Sequence, residues 1–181
     1  MSEYYEMKIA GLDRKLEKFP VSDKLDIAAF ILFGDVEVTV AAAQQLLKQA
    51  PDFDAIVTPE AKSIPLAYEM ARQSGKPYIV ARKGVKVYMR DPIEVKVRSI
   101  TTDHVQKLYL GMEDVEKIQG KRVLVVDDVI STGESLEAMY ALMEKAKTTV
   151  VAACSVLAEG DAAKRDDILF LEPLPLFFKD C

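Results

Sequence analysis

Two carboxylates stand side by side in VLVVDDVISTGESL, Val123 to Leu136, after an apolar run and before a loop of hydroxyls and glycine. Asp127 and Asp128 repel each other unless something cationic or rich in hydroxyls faces them. At neutral pH both only accept hydrogen bonds, which suits the hydroxyls of a sugar. Ser131, Thr132, Gly133, Glu134 and Ser135 follow. A tight loop that opens a helix presents unpaired N–H groups and the positive end of the helix dipole, a setting that suits a phosphate monoester. A phosphorylated sugar would partner both features at once. The plainer alternative is that Ser131 or Thr132 caps a helix and the aspartates are solvated at a strand end. The loop alone leaves both open.

Such residues need a scaffold that gathers strand ends and helix starts. Val123 to Val126 reads as a buried strand of a parallel sheet, with the aspartates at its carboxyl end, where open α/β sheets bind ligands. Further strands are expected over Asp54–Thr58, Pro77–Arg82, Val150–Leu157 and Ile168–Leu171, and helices over Ala41–Gln49, Ser63–Ser74 and Ser135–Ala146. Ile93 to Ile100 alternates apolar and charged residues, which predicts a half-exposed strand. Pairing with Gln106–Gly111 would make it a hairpin projecting from the body. The expected fold class is α/β: a central, mostly parallel twisted sheet with flanking helices and right-handed crossovers. We expect one domain over residues 1–181, with residues 1–40 fitting the alternation least.

Bulk composition narrows the function. Lys and Arg number 24 against 29 Asp and Glu, a net charge of −5 with no basic run, which argues against a nucleic-acid surface. Lys86, Arg90, Lys96, Arg98 and Lys107 read as the solvated basic face of the hairpin. The lone histidine, His104 beside Asp103, reads as a solvated loop residue. With no second histidine and no paired cysteines, a zinc site has no support. Cys154 lies in an apolar run and Cys181 ends the sequence, so a disulfide framework is not expected and a reducing compartment is. No stretch approaches the ~20 apolar residues of a membrane helix, and nothing near Met1 resembles a signal peptide. The expectation is a soluble, cytoplasmic protein.

VLVVDDVISTGES resembles the ribose-phosphate signature of the type I phosphoribosyltransferases, which use phosphoribosyl pyrophosphate (PRPP). IVTPEAKSIPLA, Ile56 to Ala67, is similar to their pyrophosphate strand–loop–helix, and VARKG, Val80 to Gly84, to the Arg-Lys pair of the purine enzymes. The resemblance covers about Asp54 to Leu157. It is closest to the adenine and xanthine branch, adenine being favoured, and to archaeal relatives that use hypoxanthine. It implies that Asp127 and Asp128 bind the ribose hydroxyls, one of them, Asp127 for choice, through Mg²⁺ that arrives with PRPP rather than in a dedicated cage. It implies that Ser131, Thr132, Gly133, Glu134 and Ser135 cradle the 5-phosphate. Glu60, Ala61, Lys62 and Ser63 would form the pyrophosphate loop, with Arg82 and Lys83 beside it. Glu94 would assist the purine proton, and Phe33, Val129 and Phe177 (with Phe30) are the candidate base contacts. Residues 83–107 would form a mobile loop, residues 1–40 and 168–181 a small hood, and the enzyme a homodimer.

Departures from the family pattern bear on affinity. Glu134 and Ser135 stand where glycine and threonine are usual, so Glu134 should point to solvent and is strained by about 1–2 kcal/mol if its φ is positive. Lys62-Ser63 replaces a frequent Arg-Gly, and a lysine meets pyrophosphate only as a point charge. Three rival readings are a PRPP-sensing regulator, a signalling receiver domain and a PRPP-binding module without turnover. The ~50 residues before Asp54 are too few and too acidic for a DNA-binding winged helix, against the regulator. A receiver carries its acidic pair after the first strand, whereas several elements precede Asp127. The third reading is separated by turnover with a panel of bases.

Overall fold

Strands whose residues are apolar on both faces must be covered on both sides, and that rule organises the computed structural model, which describes residues 3–98 and 105–179. His104, Asp103, Ile100, Cys181 and the side chain of Arg98 lie outside the described residues. In chain order the strands and helices are β1 (Tyr4–Ile9), β2 (Leu12–Ser22), β3 (Leu25–Ala28), α1 (Val36–Gln49), β4 (Ala55–Pro59), α2 (Ile64–Ser74) and β5 (Tyr78–Ala81). Then come β6 (Ile93–Arg98), β7 (Val105–Leu110), α3 (Met112–Ile118), β8 (Arg122–Ile130), α4 (Glu134–Lys145) and β9 (Thr149–Glu159). A 3-10 turn (Gly160–Lys164), β10 (Leu169–Leu174) and β11 (Phe177–Phe178) complete the described chain.

The central sheet has the order β10-β9-β8-β4-β5, and each neighbouring pair is parallel. One face carries a core of Leu46, Leu66, Met70, Leu124 and Val126 under α1 and α2. The other carries Val125, Leu136, Met139, Leu142 and Met143 under α4. Gly75 ends α2 in the left-handed conformation, at φ 68.

Four local expectations are corrected. First, α1 starts at Val36 rather than Ala41, because Asp35 caps it by accepting from the Val38 N–H. Second, α3 was not foreseen, since seven residues carry too few apolar positions to show a period. Third, β8 runs on past the aspartates to Ile130, held by pairing with β9 from Asp127↔Ser155 to Ile130↔Ala158. Fourth, the described strands of the β6–β7 hairpin lie against the body. Its apolar Ile93, Val95 and Val97, with the buried Leu108 and Leu110, pack into the core that α4 covers. An apolar stripe on a hairpin needs burial, and the body supplies it.

Residues 4–28 with 177–178 form a second, antiparallel sheet ordered β1-β2-β3-β11. Arg14 on β2 fastens it to α1, donating to Asp35 from Nε at 2.7 Å and from Nη2 at 2.9 Å. The Arg14 hydrogen bonds, foremost, hold the Asp35 carboxyl below the usual carboxylate range. Asp35→Ala removes both the cap and the fork and should cost about 1–3 kcal/mol in urea titrations near neutral pH. A carboxyl with a lowered folded pKa stabilises above the ordinary carboxylate range and stops doing so as pH falls through its folded value. Variant and parent should therefore converge in acid.

Candidate active site

Asp127 and Asp128 sit within β8, between β4 and β9, three and two residues before the strand ends. The Asp128 N–H donates to Asp127 Oδ1 at 2.8 Å, and Asp128 is only 5 % exposed. Its Oδ2 is buried without a hydrogen bond, although Lys62 Nζ lies 3.5 Å away. A buried oxygen left short of partners marks a place where a ligand is expected. Burial, first, and then the neighbouring Asp128 push the Asp127 carboxyl well above the usual range.

The loop beyond β8 is Ser131–Gly133. Gly133 takes φ 87, the left-handed conformation glycine adopts freely, and Glu134 opens α4. Glu134 therefore carries no left-handed strain, which corrects that expectation, and its side chain is half-buried. No side chain caps α4. Ser131 and Thr132 are thus free of the capping role that the plainer reading gave them, and the first N–H groups of the helix face a cavity of about 110 Å³ lined by Asp127, Val129, Thr132 and Ser135. Backbone donors, a helix dipole and hydroxyls converge there on one anion-sized space.

Across the sheet, β4 delivers a second loop. The Glu60–Ala61 peptide bond is cis. Ala61 and Lys62 are exposed, whereas Ser63 is buried: its hydroxyl lies 2.7 Å from Thr58 Oγ1 and donates to the Pro59 carbonyl. Thr58 in turn donates to the Val126 carbonyl at 2.8 Å, which ties this loop to the strand that bears the aspartates. Thr58 had no signal in the sequence, since a threonine in an apolar strand reads as filler.

Glu60 gathers the next pair. Lys83 donates its backbone N–H to Glu60 Oε2 at 3.0 Å, and Arg82 Nη2 lies 3.3 Å from Oε1. The Lys83 amide, foremost, and the nearby Arg82 and Lys86 charges hold the Glu60 carboxyl low. Arg82 Nη1 donates to the Tyr88 hydroxyl, while its Nε is buried and unpartnered. Lys83, Pro59, Gln106 and Ser135 share a cavity of about 290 Å³ between this loop, the hairpin and α4.

Other expected residues are placed elsewhere. Glu94 is held by Tyr109, foremost, and by Lys96 at 3.0 Å, partners that keep its carboxyl low and occupied. Phe30 is core, and Phe33 is 54 % exposed. Phe177 packs edge-on against Tyr5, with Lys18 above its ring. Val129, of the base candidates, lines a cavity with Asp127. Arg165 was missed: a Cβ at position 133 would lie 2.8 Å from its Nη1, so its guanidinium rests on the phosphate-sized loop from more than thirty residues away. Among the described residues no group of three or more His, Cys, Asp or Glu forms a metal cage. A hard cation would find its oxygens at Asp127 and Asp128.

A parallel sheet whose central strand presents paired acids, an uncapped helix start and a second loop with basic residues is an α/β architecture with its ligand groups at the carboxyl edge of the sheet. The chain belongs to the phosphoribosyl transferase family: the sequence profile described as phosphoribosyl transferase domain matches residues 37–175. It is a pentosyltransferase with the type I fold. It is 33% identical over 162 residues to the hypoxanthine/guanine phosphoribosyltransferase of Methanococcus voltae, covering 85% of this chain and 83% of that one. It is 37% identical over 100 residues to the adenine phosphoribosyltransferase of Thermotoga petrophila, covering 55% and 56%. In fold it is similar to the adenine phosphoribosyltransferase of Thermoanaerobacter pseudethanolicus, with a TM-score of 0.71 at 19% identity over 87% of this chain and 93% of that one. No helix among the described residues is long and apolar enough to cross a membrane.

Proposed function

We propose that the chain is a purine phosphoribosyltransferase of purine salvage, moving the 5-phosphoribosyl group of PRPP to a ring nitrogen of a purine. The anomeric C–O bond breaks, a C–N bond forms, pyrophosphate leaves, and the purine N–H proton passes to solvent or the leaving group. The observation that supports this best is one strand, β8, carrying paired acids near its carboxyl end and followed by a three-residue loop into an uncapped helix start. In this reading Asp127 and Asp128 hold the ribose hydroxyls, and residues 131–135 hold the 5-phosphate by N–H groups and hydroxyls. Ala61 and Lys62 meet pyrophosphate, with Arg82 and Lys83 beside them, while Ser63 keeps the loop in place. Mg²⁺ bound with the diphosphate would neutralise its charge, with Asp127 and Asp128 as the nearest protein oxygens. Rigid holding of the sugar and a cationic rim for the leaving group lower the barrier to an oxocarbenium-like transition state. Closure of residues 83–107 would exclude water. The enzyme works as a cytosolic homodimer in this reading, which light scattering checks; a monomeric mass removes the dimer.

The names of the relatives do not choose the base, since both hypoxanthine/guanine and adenine enzymes are among them. Incubation with PRPP, Mg²⁺ and adenine, hypoxanthine, guanine or xanthine tests the activity by formation of the monophosphate. Lys62→Ala should raise KM for PRPP roughly tenfold, the usual worth of one charged hydrogen bond, while leaving KM for the base in place. PRPP binding without turnover for every base would mean a sensor module instead.

A further inference from the structure

We infer that Glu159 chooses the base, its carboxylate accepting N–H groups from the edge of a 6-oxopurine, guanine above all. The inference rests on the purine-transfer reading and deepens it. A cavity of about 550 Å³ lies between β3, the loop after β8 and the end of β9. That is within the range of small-molecule sites. Ser131 and Thr132 line it, so a ligand anchored by phosphate in that loop borders this space. Leu25, Ile27 and Leu176 supply aliphatic walls that suit the faces of a flat ring.

Three charged groups face the cavity besides these walls, and two are already engaged. Asp161 is paired with Lys164 at 2.7 Å, and Arg165 makes a two-pronged contact with Asp167 at 2.8 and 2.7 Å. Glu159 has no hydrogen bond or ion pair among the described residues. It is half-buried, and burial raises its carboxyl above the usual range while Lys62 opposes that rise from across the site. The backbone fixes where it projects. Glu159 is the last residue of β9, in register with Leu174, and Gly160 turns the chain at φ 59. Leu176 Cδ1 closes to 2.9 Å of where a Cβ on Gly160 would stand.

An ionised carboxylate offers two acceptors and no donor. Guanine presents N1–H and the 2-amino group side by side, hypoxanthine presents N1–H alone, and adenine presents a lone pair at N1 beside its 6-amino group. A site built around a half-buried acceptor disfavours the base that leaves it unpaired. The expected order of kcat/KM is guanine, then hypoxanthine, then adenine. Glu159→Gln tests this because an amide can donate to adenine N1 and accept from its amine.

We expect Glu159→Gln to lower kcat/KM for guanine about a hundredfold and to raise adenine relative to it, with KM for PRPP changed less than about twofold. A wild-type preference for adenine overturns the inference, and so does a loss of equal factor for all three bases. Calorimetry with guanosine and adenosine 5-monophosphates reads the same ratio without turnover. A guanosine preference that vanishes in Glu159→Gln supports Glu159 even if transfer is absent. Equal affinities in both proteins overturn it whether or not the enzyme turns over.

Discussion

The Asp127→Asn, Asp128→Asn double variant should lose at least about a thousandfold in turnover with every base while melting no lower than the parent. The two carboxylates share one strand end, one donating its backbone N–H to the other, and Asp128 Oδ2 is buried without a hydrogen bond. Lys62, 3.5 Å from Asp128 Oδ2, offsets their charge only in part until a ligand arrives. Amides of the same shape relieve the repulsion, so Tm should rise by up to about 3 °C for a chain of this size. The sign with pH follows from the raised Asp127 carboxyl. An acid whose folded pKa is raised leaves the protein most stable below the ordinary carboxylate range, and that stability is lost as pH rises through the folded value. The advantage of the double variant in Tm should therefore grow from acid toward alkaline solution, as fluorimetric melts across that range will show. A lower Tm with lost activity would make the pair structural.

Gly133→Ala should raise KM for PRPP about a hundredfold and abolish the heat of binding ribose 5-phosphate. Two independent effects act at this residue. Its φ of 87 costs a residue with a side chain about 1–2 kcal/mol. The new Cβ would also stand 2.8 Å from Arg165 Nη1, which must move away. Since no side chain caps α4, the N–H groups that Gly133 aims have nothing else to hold them in place. The strain alone predicts a Tm lower by about 3–6 °C. Undiminished binding of ribose 5-phosphate in a properly folded Gly133→Ala protein would remove this loop as the phosphate site.

Much of the central sheet was readable because its strands and helices carry their period locally. Val123–Val126 is apolar on consecutive positions, Gly75 stops a helix where a left-handed residue is needed, and Leu136, Met139, Tyr140 and Met143 recur at helical spacing. Elements whose stability comes from distant partners were not readable. Asp127 and Asp128 have poor strand propensity, and this end of β8 is extended because β9 pairs with it. The hairpin's alternation was visible, but α4 as the surface that covers it was not. Aromatic type said nothing of place: Phe30 is core, Phe33 is exposed and Phe177 is engaged by Tyr5.

The proposed phosphate and ribose positions could be read from order alone because one contiguous run, Asp127 to Ser135, supplies the acids, hydroxyls and amides proposed for them. Neighbours along a chain cannot be far apart, so a strand–loop–helix carries its own geometry. The base cavity is a different kind of object. Leu25, Ile27, Glu159, Arg165 and Leu176 come from segments far apart in the sequence, Leu25 and Leu176 near its opposite ends, and each is ordinary in its own surroundings. Only the folding of the antiparallel sheet against the end of β9 brings these side chains to face one space, because packing of distant surfaces obeys burial and shape rather than spacing in the sequence.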